Sequence, residues 1–277
     1  MNRPGIEEAS ALEENQFDIH SNYGTAVGEA YKSLRANIQF CSVDKKIRSI
    51  TVTSCNPTEG KTTTAVNISI ALALSGMKVL MIDADMRKPS IHKNPKTHRA
   101  EGLSNYLSGY AEFEEIISET TVENCFYISC GVKPPNPAEL IGAKRFEELL
   151  KRAEDDFDLV IIDTPPLGSL IDAAIIAAKT TGTIIVINSR EVSHKLVKRV
   201  KEQLEKANAH ILGVVLNKVR RSDFRGYYSY YGYYDGHKNS GRTLFRKKKR
   251  RSSGRSNNGA ANNFALIDKK TRADNQG

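Results

Sequence analysis

Residues 50–64 combine a strand, a tight loop and the start of a helix, and this arrangement constrains the fold more than any other part of the chain. Four β-branched residues, Ile50-Thr-Val-Thr53, predict the strand, and the helix is indicated by apolar residues at helical spacing: Ala65, Ile68, Ala71, Leu72 and Ala73. The loop between them ends in Gly60-Lys61-Thr62, the spacing of a phosphate-binding P-loop. Backbone N–H groups and the macrodipole at such a helix N-terminus favour negative charge. We therefore expect a nucleotide site formed by Pro57, Thr58, Glu59, Gly60, Lys61, Thr62 and Thr63.

If the loop is a P-loop, two of its side chains contact the nucleotide and its metal ion directly. Lys61 would reach the β- and γ-phosphates, and the hydroxyl of Thr62 would hold Mg²⁺. One position departs from the usual pattern, because Cys55 stands where the first glycine of a P-loop normally lies. The alternative is a polar strand-to-helix turn that contains Gly-Lys-Thr by chance.

Carboxylates follow two further apolar strands. Residues 79–82 run into Asp83-Ala-Asp85-Met-Arg87-Lys-Pro89, and residues 159–162 run into Asp163-Thr-Pro-Pro166. Open α/β sheets bind ligands at the carboxyl ends of their strands, so we expect these acids beside the P-loop. Asp163 has the position of a Walker B aspartate, which would hold the Mg²⁺ shell. Each aspartate alone could cap a helix or form a turn, but three of them with a P-loop make that alternative weak.

The rest of the chain up to residue 217 alternates helical and strand patterns. Helices are predicted at 26–40, at 102–119 on the surface, from an N-cap at Asn136 to about residue 153, near 172–180 and near 193–208. Strands are predicted at 126–129, 183–188 and 211–216, and Asn217 after the last strand is expected to contact adenine. This alternation predicts an α/β fold of the P-loop NTPase type, with a mostly parallel β-sheet flanked by helices on both faces.

Charge is distributed unevenly along the 277 residues. From Lys218 onward there are 16 Lys and Arg residues against 4 Asp and Glu, whereas residues 1–217 carry 25 basic against 28 acidic residues. A nucleic-acid groove on the domain is therefore not expected, although the tail could bind polyanions. We predict a flexible leader at 1–25, a P-loop domain at 26–219 and a disordered tail at 220–277. The tail holds a basic run at 246–251 and a tyrosine cluster at 227–234: Tyr227, Tyr228, Tyr230, Tyr231, Tyr233 and Tyr234.

The four cysteines show no C-x-x-C motif and no metal-binding spacing, which is typical of a reduced cytoplasmic protein. Cys125 and Cys130 flank a predicted strand, and we expect no disulfide between them. The N-terminus does not read as a signal peptide, and no run of 18 apolar residues is free of charge. The chain is therefore not expected to cross a membrane by itself.

Taken together, these motifs resemble the bacterial protein-tyrosine kinase (BY-kinase) family in its stand-alone cytoplasmic form. The resemblance covers about residues 26–236 and rests on residues 57–62, 82–89 and 162–166, on Pro135-Asn-Pro-Ala-Glu-Leu140 and on the tyrosine cluster. It implies a protein-tyrosine kinase that uses ATP and Mg²⁺. By this resemblance, Lys61 and Thr62 bind ATP-Mg²⁺, and Asp83, Asp85 and Asp163 complete the metal and catalytic shell, with Asp83 and Asp163 holding the metal together with Thr62.

Phosphoryl transfer needs in-line positioning and neutralisation of charge on the phosphate oxygens more than it needs covalent help. The resemblance makes Asp83 the candidate base for the substrate tyrosine hydroxyl, because a carboxylate beside a metal eases removal of that proton. Arg87 or Lys88 would stabilise the transferring group, and the residues alone do not rank the two.

The resemblance also implies an assembly. The family's ring-forming helix motif, E-x-x-R-x-x-R, matches Glu29, Lys32 and Arg35, although the residues alone favour a solvated helix surface. Lysine replaces the first arginine, and a single ammonium cannot make the forked contacts of a guanidinium, so a looser ring or a changed partner side chain is expected. In such a homo-oligomeric ring, each tyrosine tail is phosphorylated by the neighbouring subunit.

A membrane partner is implied as well. By the same resemblance the chain is cytoplasmic, is recruited to the inner face of the membrane by an adaptor of the polysaccharide co-polymerase type, and regulates capsule or exopolysaccharide production. The resemblance further implies protein tyrosine substrates and a cognate phosphatase. Contact of the basic tail with anionic lipid is an additional hypothesis, since basic residues near such a surface attract it.

Two rival functions remain. A partitioning or division-site ATPase of the same P-loop branch would act as a dimeric switch, but those proteins carry an extra lysine early in the loop, where this chain has Asn56. The tail could instead be a polyanion-binding module, because aromatic residues among basic ones bind single strands by stacking. Tyrosine pairs spaced by glycine and serine after a kinase-like core favour phosphate acceptors over both rivals.

Overall fold

The computed structural model describes residues 26–42, 46–88 and 101–219. Seven strands within these residues form one sheet: β1 Ser49–Ser54, β2 Val79–Asp83, β3 Ile117–Glu119, β4 Cys125–Ile128, β5 Leu159–Asp163, β6 Gly182–Asn188 and β7 Ile211–Asn217. Their order across the sheet is β3-β4-β2-β5-β1-β6-β7. Only β3, at one edge, is antiparallel to its neighbour. The prediction of a mostly parallel sheet is confirmed.

Eight helices accompany the strands in the described part of the chain: α1 Ala26–Cys41, α2 Lys61–Ala73, α3 Leu103–Leu107, α4 Phe113–Ile116, α5 Pro137–Gly142, α6 Lys144–Asp156, α7 Asp172–Ala177 and α8 His194–Lys206. α1 and α2 cover one face of the sheet. The other six helices cover the opposite face. The predicted arrangement of helices on both faces is therefore confirmed.

The central strands β1, β2, β5 and β6 are buried along their whole length, because helices cover both of their faces. Alternate residues point to opposite sides: Ile50 and Val52 pack under α2, while Leu80 and Ile82 pack under the helices of the other face. Burying both faces leaves only the ends of the strands accessible to a ligand. The carboxyl ends therefore become the place for polar side chains.

Two helix predictions need correction. Residues 102–119 do not form one surface helix; they form α3, α4 and β3, and Phe113 and Ile116 are almost fully buried. Gly109, in the left-handed region at φ 82°, separates α3 from α4. The predicted helix from 136 to about 153 is also wrong as a single element, because the chain is extended at Ala143 (ψ 155°) between α5 and α6.

Smaller features agree with the sequence analysis. The remaining helices and strands begin and end within three residues of the predicted positions, and none of the four cysteines forms a disulfide. Asn136 precedes Pro137 at the start of α5 as expected, although its side chain donates to Glu139 and does not cap the helix. Within the described residues, no helix is both long and apolar enough to span a membrane. The predicted flexible leader at 1–25 and the predicted disordered tail at 220–277 lie outside the described residues.

Candidate active site

Strand order brings the acidic strand ends to the P-loop. β2 and β5 are parallel neighbours, and their register pairs Asp83 with Asp163. β1, which leads into the P-loop, lies on the other side of β5. Both carboxylates and the loop are therefore at the same edge of the sheet, where parallel strands present their carboxyl ends.

The P-loop is shaped by one of its own side chains. Glu59 is 2% exposed, and its carboxylate accepts the backbone N–H groups of Cys55 (2.8 Å) and Asn56 (2.9 Å). Gly60 precedes α2 at φ 93°, in the left-handed region that glycine tolerates best. A Cβ atom at Gly60 would lie 2.0 Å from Nδ2 of Asn217. Glycine is therefore required here both by the backbone angle and by the close approach of β7.

Cys55 is tolerated at the first position of the loop because it is part of the core. Its side chain is fully buried next to Leu167 and α7, and burial raises the pKa of its thiol to about 12. The left-handed residues of the loop are Thr58 and Gly60, and Cys55 is not among them. A residue with a side chain therefore fits where the sequence pattern led us to expect glycine.

Lys61 is the central cation of the site. Its ammonium Nζ lies 3.2 Å from Oδ2 of Asp85 and 3.3 Å from Oδ1 of Asp163, and it donates to Oγ1 of Thr62 at 3.1 Å. The hydroxyl of Thr62 donates to Oδ2 of Asp163 at 2.6 Å. Burial would lower the pKa of Lys61, but the carboxylates of Asp163 and Asp85 raise it overall. The structure thus gathers a lysine, a threonine and two aspartates into one contact network.

The carboxyl groups of Asp83 and Asp163 both have a raised pKa. Burial is the main cause in each case; the neighbouring Asp163 adds to it for Asp83, whereas Lys61 partly opposes it for Asp163. Oδ1 of Asp83 accepts the N–H of Asp85, but its Oδ2 is buried without a hydrogen-bond partner in the described residues. A buried acidic oxygen without a partner is what a cation would satisfy.

The donor set fits Mg²⁺ at a nucleotide site. Such a site usually takes one or two carboxylates together with phosphate oxygens and water, and the Thr62 hydroxyl, Asp83 and Asp163 are oxygen donors of this type. No group of three or more His, Cys, Asp or Glu side chains in residues 26–42, 46–88 and 101–219 is placed to hold a metal ion by itself. The fit therefore depends on phosphate oxygens as additional ligands.

Arg87 has a partner that sequence analysis missed. Its guanidinium makes two hydrogen bonds to Asp172, a residue 1% exposed at the start of α7. The side-chain hydrogen bond to Asp172 is the main reason that the pKa of Arg87 is raised. The signal in the sequence is a single aspartate among apolar residues, Leu170-Ile-Asp-Ala173, at the start of the helix predicted near 172–180.

Asn217 and Lys218 lie against the back of the P-loop. Nδ2 of Asn217 donates to the carbonyl of Glu59 (2.9 Å), and its Oδ1 accepts the N–H of Lys218 (2.7 Å). Nζ of Lys218 donates to the carbonyl of Thr58 at 2.8 Å. Both ends of the Asn217 amide are thus bound to protein, and its contact with adenine stays a prediction.

Glu29, Lys32 and Arg35 are on α1, which packs against α2. Lys32 forms an ion pair with Glu29 at 2.7 Å, and Arg35 donates from Nη1 to the carbonyl of Ala71 in α2 at 3.3 Å. The Nε of Arg35 is buried without a hydrogen-bond partner among the described residues. Their assignment to a ring interface stays a prediction, as do the acceptor roles of the tyrosine cluster, which lies outside the described residues.

Comparisons with known proteins agree on one group. A family model described as an AAA domain matches residues 47–213. The chain is 39% identical over 195 residues to tyrosine-protein kinase CpsD of Streptococcus agalactiae, covering 70% of this chain and 84% of that protein. It is 36% identical over 206 residues to tyrosine-protein kinase YwqD of Bacillus subtilis (strain 168), covering 74% and 85%.

Solved structures are similar to the chain as well. The crystal structure of the chimerical protein CapA2B2 has a TM-score of 0.71 and 35% identity, covering 75% of this chain and 91% of that chain. The kinase domain of Escherichia coli tyrosine kinase ETK has a TM-score of 0.64 and 34% identity, covering 67% and 73%. The septum site-determining protein MinD of Pyrococcus horikoshii OT3, solved with Mg-ADP, has a lower TM-score of 0.53 and 27% identity, covering 64% and 72%.

Proposed function

The chain belongs to the bacterial protein-tyrosine kinase family and is itself a protein-tyrosine kinase, and on this premise we propose that it transfers the terminal phosphate of ATP to its own tyrosine cluster at 227–234. The observation that carries the proposal is the convergence of Lys61, Thr62, Asp83 and Asp163 at one edge of the sheet. A P-loop with aspartates at the ends of the neighbouring strands is suited to phosphoryl transfer.

Each residue of this network has a distinct part in the proposed mechanism. Lys61, now shared between Asp85 and Asp163, is the cation that binds the β- and γ-phosphates. Thr62 and Asp163, joined by a 2.6 Å hydrogen bond, hold Mg²⁺ together with Asp83. A Mg²⁺ ion held by these residues would supply positive charge to neutralise the charge that develops on the phosphate oxygens. The backbone N–H groups at the start of α2 bind the β-phosphate.

Asp83 is proposed as the base that accepts the proton of the tyrosine hydroxyl. Its carboxyl group has a raised pKa, chiefly through burial and then through Asp163, so it holds a proton more readily than an exposed aspartate. A carboxylate has two oxygens with about four acceptor sites, so Asp83 can accept the proton on one oxygen while its Oδ2, unpartnered among the described residues, is left for the metal ion. Asp85 holds the loop after β2 by accepting the N–H of Lys88, and it contacts Lys61.

We further propose a homo-oligomeric ring, formed through Glu29, Lys32 and Arg35, in which each tail is phosphorylated in trans. A mixing experiment tests this directly. One chain carries Lys61→Met and all six tyrosines of the cluster; the other has an intact site and six Tyr-to-Phe substitutions. Phosphate on the Lys61→Met chain supports transfer between subunits, and its absence, with an active wild-type control, refutes it.

A membrane adaptor of the polysaccharide co-polymerase type is the proposed activator, and it would bring the cytoplasmic chain to the inner face of the membrane. The similarity to the chimera CapA2B2 and to a protein of Klebsiella pneumoniae described as a kinase in the cps region supports a role in capsule or exopolysaccharide synthesis. A cognate phosphatase and other protein tyrosine substrates complete this proposal. Recovery of an adaptor after crosslinking in cells would support it.

The basic tail suggests a lipid contact that phosphorylation would weaken. Six phosphotyrosines would add roughly −9 to −12 charges, comparable to the surplus of basic residues after Lys218. We expect weaker sedimentation with anionic liposomes after phosphorylation. Equal binding before and after would refute the contact.

The decisive test of the proposed function is mass spectrometry of residues 227–234 after incubation of the full chain with ATP, Mg²⁺ and a cytoplasmic adaptor fragment. Lys61→Met and the Tyr-to-Phe variants are the controls. Phosphate on the tyrosine cluster of the wild-type chain, and on neither control variant, supports the proposal. ATP hydrolysis with unmodified tyrosines would favour the rival, a switch of the MinD type, despite Asn56 in place of the extra lysine.

A further inference from the structure

A bidentate ion pair joins the loop after β2 to the start of α7. Nε of Arg87 donates to Oδ2 of Asp172 at 2.7 Å, and Nη2 donates to Oδ1 at 3.1 Å. The side chain of Asp172 is 1% exposed, whereas that of Arg87 is 36% exposed. Such a two-point contact restricts the orientation of the guanidinium as well as its position.

The arginine end of this pair is part of the loop that carries the acids of the site. Oδ1 of Asp83 accepts the N–H of Asp85 at 3.0 Å, and Oδ1 of Asp85 accepts the N–H of Lys88 at 3.0 Å. The other oxygen of Asp85 contacts Lys61 at 3.2 Å. A displacement of Arg87 would therefore also displace the short turn at 83–88, which includes Asp83 and Asp85.

The aspartate end is attached to the P-loop strand. In the segment between β5 and α7, the N–H of Leu167 donates to the carbonyl of Ser54 at 2.9 Å, and the N–H of Gly168 donates to the carbonyl of Cys55 at 3.1 Å. A Cβ atom on Gly168 would lie 2.1 Å from that carbonyl oxygen, so the two segments are in close contact. Asp172 thus projects from a segment that is fixed to the start of the P-loop.

We propose that Asp172 is a positioning residue for phosphoryl transfer: it orients Arg87 and, through Arg87, holds the 83–88 loop against the P-loop segment. This inference rests on the proposed function and deepens it. The pair uses Nε and Nη2 of Arg87, so Nη1 is the nitrogen left to contact the transferring phosphoryl group. Arg87 is therefore the cation that we assign to that group, because the two-point contact with a buried carboxylate fixes its orientation.

The test compares Asp172→Asn, Asp172→Glu and Arg87→Lys in the full chain. Each variant is incubated with radiolabelled ATP and Mg²⁺, and both ADP formation and phosphate incorporated into the chain are followed. ADP affinity is measured by titration calorimetry, and the melting temperature is measured in the same buffer. Asp156→Asn is the control for the chemical change, because Asp156 is an exposed partner of Arg152 on α6.

We expect Asp172→Asn to lower kcat at least about tenfold while the KM for ATP and the affinity for ADP change less than about threefold. Asp172→Glu, which keeps the charge, should recover at least part of the loss. Arg87→Lys cannot form the fork, so adding Asp172→Asn to it should lower kcat by less than about twofold more. Asp156→Asn should behave as wild type.

Other results would overturn the inference. A wild-type kcat in Asp172→Asn would do so, as would a fall in melting temperature with unchanged kcat per folded molecule, which indicates a purely structural role. Additive effects of Arg87→Lys and Asp172→Asn would show that Asp172 does not act through Arg87. If the Asp172 variants do not fold, Arg87→Lys with normal kcat refutes the inference by itself. Wild-type ADP formation without phosphotyrosine would refute the proposed function, while the effect of Asp172 on ADP formation would still be measurable.

Discussion

Replacing Lys61 by methionine removes the positive charge that lies among the buried acids of the site. The Lys61 side chain is 9% exposed, and its partners Asp85 and Asp163 are 6% and 1% exposed, so solvent screens these contacts weakly. Breaking a buried ion pair by removing one partner costs about 3–5 kcal/mol, because the remaining charge is uncompensated. We expect a loss of stability of that size at pH 8 in the absence of nucleotide and metal.

The loss should depend on pH in a defined direction. Because burial raises the pKa of Asp83 and Asp163 above the unfolded value, their contribution to stability is fully present below the unfolded pKa and is lost as pH rises through the folded pKa. Removing Lys61 raises these folded pKa values further, since its charge favours the ionised carboxylates. The difference between wild type and Lys61→Met should therefore be small at pH 5 and should grow towards pH 8.

Urea unfolding of the full chain with EDTA, followed by circular dichroism at several pH values, measures both effects. Adding Asp85→Asn to Lys61→Met should recover part of the loss, because one buried negative charge is removed. Lys201→Met is the matched control: Lys201 pairs with Glu205 on α8, both side chains are well exposed, and such a pair is worth at most about 1 kcal/mol. Equal stability of Lys61→Met and wild type at pH 8 would refute the reasoning, since the acids would then not be desolvated charges.

Three further predictions follow from other contacts. Gly60→Ala should lower the affinity for ADP, measured by calorimetry, at least about tenfold while the fold is retained. The Cβ of the alanine would overlap Asn217, and the positive φ angle would be strained. Unchanged affinity would contradict this prediction. Cys55, with a thiol pKa of about 12, should react with Ellman's reagent at pH 8 only after unfolding, whereas the half-buried Cys41 reacts first in the native protein. Phe146→Ala should destabilise the protein by about 3–5 kcal/mol in urea unfolding, because Phe146 lies on the buried face of α6 and is fully buried in the core. A loss below about 1 kcal/mol would be inconsistent with that burial.

Much of the fold followed from local sequence signals. A parallel sheet with polar residues at the carboxyl ends of its strands was predicted from three signals: the strand before Gly60, the apolar strands before Asp83 and Asp163, and the alternation of helix and strand patterns. The structure confirms that sheet. These features were predictable because hydrophobic periodicity and glycine position reflect the backbone over a few residues. The same local reasoning failed at 102–119, where burial against the sheet decides the structure of short helices.

Other parts of the site depend on pairings between residues far apart in the chain. The register that sets Asp83 beside Asp163 requires β2 and β5 to be neighbours, and nothing in either strand specifies its neighbour. The contact of Asn217 with the P-loop and the ion pair of Arg87 with Asp172 join segments separated by 158 and 85 residues. The sequence by itself therefore determined which residue types stand at the ends of the strands. Only tertiary packing decided which of them meet, because strand order is set by burial of both sheet faces at once.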